Sequence, residues 1–356
     1  MAVDGNVYAS TEFRFAIAEE ATFGTAIVVP TADASYNELC ITEPPQIDWG
    51  NLITDRAKKA DGSRVSMVTD NFVSKAGTDF TVSVSGIATD ETIDFLIYGV
   101  MQDLVSEATS SPFLKTFEWD ESSGSVDFSA NAGKLYTLVG YDPDGASWQL
   151  RSAFLRELTL TADPGTNGGR LSYTATFMSG FIPTVSGVTT VPTNWNNIAQ
   201  AGTAFYPFQT LATKTLDGND IVLGSMSLTF NNSGTRVGYD SSGEPQNYII
   251  GSGGDNLSLT GEIVTKYDSN SAGALTAFLL NPANDAQASI PLVITWGDGS
   301  SDGTVSFTIN PVFTGNAKDF GNDAGVFVNL PFMGVGLGSG NEAIVVTIAN
   351  AKDRSW

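Results

Sequence analysis

Apolar and small hydroxylated residues alternate along much of this chain, and that period constrains the fold more than any other feature. In "GTDFTVSVSGI" (Gly77 to Ile87), Phe80, Val82 and Val84 alternate with Thr81, Ser83 and Ser85. In "GDNLSLTGEIV" (Gly254 to Val264), Leu257 and Leu259 alternate with Ser258 and Thr260. A two-residue period is the signature of a strand with one face on a core and the other on solvent. The expected fold class is therefore mainly β.

The pattern recurs in order as well as in period. Each of these strands is followed by a helix candidate, "TDETIDFLIYGVMQ" with Thr89 or Asp90 as N-cap and "DSNSAGALTAFLLN" with Ser269 or Ser271 in that role. Ile93, Leu96, Ile97 and Val100 keep helical spacing, as do Leu275, Phe278 and Leu279. Strands then resume in both halves: "KLYTLVGY" is matched by "SIPLVITWG", "FLRELTLTAD" by "TVSFTINPVF", and "RLSYTATFMSG" by "VFVNLPFMGV". The order strand, strand, helix and three strands occurs twice. It divides the chain into an arm at 1–39, a first domain at 40–185, a linker or crossover at 186–219 and a second domain with a C-terminal strand at 220–356. A length of 356 residues also suits two domains. The stretch "AEEATFGTAIVVP" (Ala18 to Pro30) lacks alternation and falls in the arm. Its Gly24-Thr25 turn and the apolar run after it are expected to lie on another domain, of the same chain or of a neighbour.

Composition removes several functions. Asp+Glu 39 against Lys+Arg 17 gives a net charge of −22, so phosphate backbones are repelled and tight nucleic-acid binding is not expected. Histidine is absent, which excludes Ser-His-Asp and Cys-His nucleophile systems and removes the commonest metal ligand. Cys40 is the single cysteine; flanked by Leu39 and Ile41, it reads as a buried structural thiol. No cofactor or metal is expected. Carboxylate-pair glycosidase chemistry needs only Asp and Glu, yet no pair stands out. The start "MAVDGNVYASTEF" lacks the basic and apolar regions of a signal peptide, and no run of about 18 apolar residues occurs. Production in a cytoplasm without membrane insertion is expected.

The outward positions are unusual in being neutral. Ser225, Ser227 and Thr229 alternate with Met226, Leu228 and Phe230; Ser172, Thr174 and Thr176 with Leu171, Tyr173, Ala175 and Phe177; Ser306, Thr308 and Asn310 with Val305, Phe307 and Ile309. Threonine's β-propensity explains this in one way. A surface over which a polyanion slides explains it in another. "YDPDGAS", "WGDGSSDGT" and "DFGNDAG" gather carboxylates around glycines, but none has EF-hand spacing, and Asp-Gly is a hairpin-turn signal. The basic island "DRAKKADGSR" carries Arg56, Lys58, Lys59 and Arg64; in so acidic a chain these cations suit either a solvated loop or docking on an acidic patch of another copy, and four in so short a stretch favour docking.

These segments resemble a family. "EEATFGTAIVVPTADASYNELCITEPPQI" is similar to the opening of siphophage-type tail tube proteins, and "GSMSLTFNNSGTRVGYDSSGEPQNYIIGSGGDNLSLTGEIVTKYD" looks like that family's second-half signature. The resemblance covers essentially the whole chain, although the basic first-half arm is longer than the family pattern. It implies two tandem tail-tube domains, each a β-sandwich or partial barrel with a flanking α-helix. It implies a structural virion protein: the major tail tube protein of a long-tailed phage, forming stacked trimeric, pseudo-hexameric rings assembled in the host cytoplasm, and not an enzyme. Its partners would be copies of itself, the tape measure, tail terminator and distal tail or baseplate proteins, with viral double-stranded DNA passing non-specifically through the lumen. Thr81, Ser83, Ser85, Glu157, Thr159, Ser258, Thr260 and Glu262 would face that lumen. Phe23, Ile27, Val28, Arg56, Lys58, Lys59, Arg64 and Arg236 would make contacts between subunits or rings. The alternative from the residues alone is a carbohydrate-binding or adhesin-like β-sandwich using Trp148, Trp195 and Trp296.

Overall fold

The structure, a computed structural model, describes residues 13–27, 36–48, 52–54, 73–75, 79–101, 104–119, 134–141, 148–184, 205–232, 234–236, 238–241, 245, 248–249, 257–272, 290–297, 303–314, 317–319, 326–336 and 342–351. Its principal strands in the first half are β1 (Arg14–Glu19), β2 (Gln46–Asp48), β3 (Phe80–Ile87), β4 (Phe113–Trp119), β5 (Tyr136–Tyr141), β6 (Trp148–Ala162) and β7 (Ser172–Ser179). Those of the second half are β8 (Leu211–Leu216), β9 (Leu223–Asn232), β10 (Leu257–Lys266), β11 (Leu292–Trp296), β12 (Thr304–Ile309), β13 (Pro311–Phe313), β14 (Phe327–Gly334) and β15 (Ile344–Asn350). One α-helix, α1 (Ile93–Met101), follows β3. The fold is mainly β and its sheets are antiparallel.

The strands the alternation marks are present, and their pairing order repeats. In the first half the neighbours run β2, β3, β7, β6; in the second they run β9, β10, β14, β13. Likewise β1, β5 and β6 pair in succession, as do β8, β11 and β12. The counterpart of the single long strand β6 is split into β12 and β13 at Asn310. β6 instead stays continuous through a register shift between Leu150 and Ala153, where Ser152 takes a φ of 47°, and a bulge between Leu155 and Glu157. That bend lets one strand serve two sheets. A shared detail marks the repeat: Gly86 of β3 lies opposite Tyr173 of β7, and Gly261 of β10 lies opposite Phe332 of β14. A Cβ on Gly261 would come within 2.3 Å of the Phe332 ring, so the missing side chain is the room the ring occupies.

Two segments differ from the expected organisation. The 1–39 segment, read as an arm, supplies β1, whose Phe15, Ala16, Ile17 and Ala18 are fully buried against β5. The 186–219 segment, read as a linker, supplies β8, which pairs with β11 as β1 does with β5. β1 is an apolar run buried on both sides, a pattern that periodicity does not separate from irregular chain, whereas β8, "LATKTL", is largely polar and buries only Leu211 and Leu216 at its ends. The two halves join directly, because the second part of β6 pairs with β9 along Glu157 to Ala162. One hydrophobic cluster runs through α1 and the inner faces of both sheets, with Trp119 of β4 stacked on Phe230 of β9 at 6.3 Å.

α1 is buried on all sides, Asp94 included, so it is a core helix rather than a surface one. It begins at Ile93, whose N–H donates to the Thr89 carbonyl at 3.1 Å, so Thr89 stands at its N-terminal end with its hydroxyl 2.7 Å from that of Thr92, while Asp90 lies in the turn between them. At the second expected helix, residues 269–272 are helical and the cap is Asp268. Its carboxylate accepts the N–H groups of Asn270 (3.0 Å) and Ser271 (3.2 Å), while the Ser271 hydroxyl accepts that of Asp268 at 3.0 Å. Leu275, Phe278 and Leu279 lie outside the described residues.

Candidate functional site

Because β6 pairs with β9, the outward faces of the two halves become one surface. Three rows of directly opposed side chains cross it. The first runs Gln46, Ser83, Thr176, Glu157, Asn231, Ser258. The second runs Ser85, Thr174, Thr159, Thr229, Thr260, Met333, Val312. The third runs Ile87, Ser172, Thr161, Ser227, Glu262, Pro331. Directly opposed residues in a sheet point to the same side, so seven of the eight expected lumen positions fall in these rows. Thr81, opposite Met178, extends the same face by one more row. The other side of the sheet is core: Val84, Ala175, Leu158, Phe230 and Leu259 are opposed in the same way and buried.

The chemistry of the face follows from its side chains. Glu157 and Glu262 are the only ionisable groups in the three rows, and both are exposed. Six of the hydroxyls pair across strands: Ser83 with Thr176 at 3.0 Å, Ser85 with Thr174 at 3.2 Å, and Thr159 with Thr229 at 3.0 Å across the join between halves. A hydroxyl engaged with its neighbour has less to offer a ligand. Arg156 is exposed beside Glu157 in the bulge, and Arg170, its guanidinium 4.7 Å from the centre of the Phe205 ring, borders a shallow depression with Thr161, Ser172, Ser227 and Glu262. Among the described residues no group of acids has the arrangement of a metal site.

Among the described residues this face ends at β2 on one side and, on the other, at β13 together with Ala317–Asp319, which also pairs with β14. β2 pairs only with β3, and β13 only with β14. β2 is three residues long; β13 is equally short and begins with Pro311, two devices that keep an edge from pairing indiscriminately.

Of the residues expected at contacts between subunits, Phe23 and Ile27 meet their own chain. Phe23 packs on Leu135, Phe154 and Met178, its ring centre 5.3 Å from that of Phe181. Gly24, at φ 77°, donates its N–H to the Ser152 hydroxyl at 2.7 Å and accepts from Arg151 at 3.2 Å. Ile27 donates to the Thr137 hydroxyl at 3.0 Å. The Gly24-Thr25 turn therefore lies on β5 and β6 of its own chain. Its anchor is Glu20, whose carboxylate accepts from Thr137 Oγ1 (2.6 Å), Ser152 N (2.7 Å) and Ser152 Oγ (2.6 Å). Burial pushes the Glu20 carboxyl above its ordinary range despite these donors. No sequence signal marked Glu20, because its partners come from residues over a hundred positions away. Arg236 sits in a two-residue strand whose backbone pairs with Tyr248. Val28, Arg56, Lys58, Lys59 and Arg64 lie outside the described residues.

Of the tryptophans that motivated a glycan site, Trp148 and Trp296 are core residues at 2% and 1% exposure and present no open ring face; Trp195 lies outside the described residues. Cys40 is half-buried rather than buried, and burial raises its thiol pKa. "YDPDGAS" joins β5 to β6 and "WGDGSSDGT" joins β11 to β12, both between directly paired strands, so these segments connect hairpins. No helix among the described residues is long and apolar enough to cross a membrane. In comparisons with known proteins, no family model and no curated protein matches the chain.

Proposed function

We propose that this protein is a self-assembling structural subunit, the tail tube protein of a long-tailed phage, whose hydroxyl-lined face surrounds a channel for double-stranded DNA. One observation carries the reading. The strands that meet at the middle of the sheet, β6 and β9, have as counterparts in the opposite halves β13 and β2, and among the described residues these lie at the two outer edges of the shared face. Pairing β13 of one copy with β2 of the next repeats the internal join, and repeating it around an axis closes a ring. With two equivalent units per chain, about three copies make a ring of six units, and a head-to-tail contact between rings extends it into a tube.

The face suits a conduit. Exposed carboxylates repel phosphate, and a wall of small neutral hydroxyls, six of them paired with one another, carries no cation for DNA to hold. The remaining partners of such a tube, the tape measure, terminator and distal tail proteins, would meet it inside the bore or at its ends. The protein binds copies of itself and transforms no substrate, and its place is the virion tail.

Negative-stain microscopy of the purified protein at rising concentration tests this. Rings or tubes with a central channel are expected; a monomer that sediments unchanged and forms neither would overturn it.

A further inference from the structure

Beneath α1 lies a cluster of three side chains that the assembly does not use. Asp94 comes from the first turn of α1, Lys115 from the middle of β4 and Asn350 from the end of β15, and all three are 0% exposed. Lys115 Nζ is 2.8 Å from Asn350 Oδ1 and 2.8 Å from Asp94 Oδ2. The Asn350 Nδ2 donates to the same Asp94 Oδ2 at 3.0 Å and to the Asp90 carbonyl at 2.9 Å. Asp94 Oδ1 accepts from Phe95 N at 2.9 Å. A second acid, Glu107, reaches to 3.9 Å of Lys115 Nζ from the partly exposed side. β4 and β15 are paired neighbours, with Lys115 opposite Ile348 and Phe113 opposite Asn350, so the amine and the amide are diagonal neighbours held by the ladder.

An amine, a carboxamide and a carboxylate bridging the two form more than an ion pair. One carboxylate oxygen touches both the nucleophile and the group that would leave, which is where a proton carrier has to sit. The amide is fixed with its oxygen toward the lysine by the Asp90 carbonyl, and exclusion of water removes the competing hydrolysis. Holding the partners side by side replaces the entropy cost of their encounter. The buried ion pair is costly to desolvate, and a neutral product removes that cost.

We propose that Lys115 and Asn350 become joined by an amide bond between Lys115 Nζ and Asn350 Cγ, with Asp94 as the proton carrier. Asp94 takes a proton from the Lys115 ammonium, and the freed lone pair attacks Cγ while the C=O electrons move to Oδ1. Asp94 then passes its proton to Nδ2 and takes a second one from Nζ. The carbonyl re-forms as the Cγ–Nδ2 bond breaks. Ammonia leaves, and Asp94 ends protonated; no oxidant or co-substrate takes part. The product ties β4, from the first half, to the last strand of the second.

The mass of the intact, denatured full-length chain tests this. It is expected to fall below the sequence mass by one ammonia, and proteolysis should yield a branched peptide carrying Lys115 and Asn350. Full mass with both residues in separate peptides overturns the proposal. So does ammonia loss without a branch, as from a succinimide at Asn350-Ala351. Asp94→Ala, which leaves both reacting groups in place, is expected to abolish the branch; a branched peptide in that variant refutes the role of Asp94. Because the wild-type mass decides the bond itself, the proposal stands or falls even where the variant fails to fold.

Discussion

Glu20 shows how one side chain fixes a segment that lacks a pattern of its own. Its carboxylate replaces three lost water contacts with donors from β5 and β6, and so holds the Thr22 to Thr25 turn to the sheet. Burial nonetheless leaves the ionised form less favourable in the folded chain than in the unfolded one. For an acid with a raised folded pKa the native state binds more protons between the two values. Stability from this group is therefore complete below the unfolded pKa, about 4.3 for a glutamate, and is lost as pH rises through the higher folded value. Glu20→Gln removes this titration. Relative to that variant, the wild type is expected to lose unfolding free energy from about pH 4 upward and to level off once the folded pKa is passed. Urea denaturation across that range measures it, and parallel curves for the two proteins would contradict the assignment.

At the level of elements, the outer edges make a definite demand. The tie between halves places Glu157 opposite Asn231. By the glycine–aromatic correspondence, Asn310 takes the place of Glu157 and Gln46 that of Asn231. Cysteines at Gln46 and Asn310, in a Cys40→Ser background, are thus expected to cross-link neighbouring copies on oxidation into a ladder that stops at about three chains, the closed ring. An open-ended ladder, or no cross-link in protein that assembles, would place the seam elsewhere. Much of this was legible in the sequence, and the physical reason is burial geometry. Strands with one wet face, such as β3, β7, β9 and β10, alternate and declare themselves. "RFAIAE" of β1 is buried on both sides and carries no period, so its place beside β5 was hidden. β8 was hidden by its polar and glycine-rich flanks. The face was foreseeable residue by residue, since alternation tells which side chains point outward. That the two halves merge their faces was not, because it depends on the pairing of β6 with β9, a contact that no local pattern encodes.

The whole molecule is governed by a separation between a neutral face and a strongly acidic total. The chain carries a net charge of −22, yet the three rows hold two carboxylates and no cation. In a channel the distant acids repel DNA weakly through salt, whereas the wall sets what the polymer touches. If the wall is this face, then adding cations there changes a conduit into a binding site. Lysine at Ser83, Ser258 and Thr260, which all point to that side, is expected to leave assembly intact, because none of the three is buried. It should create retention of double-stranded DNA where the wild-type assemblies have none. The retention should fall steeply with salt, with a slope of about −0.9 in log K per log salt for each phosphate neutralised. Three lysines per chain and about three chains per ring would make the loss of binding between low and physiological salt large. Phage carrying the substitutions should assemble tails of normal length and eject DNA slowly. Normal infectivity together with normal tails would show that these side chains face away from the DNA, and the assignment of the hydroxyl face to the bore would fall with it.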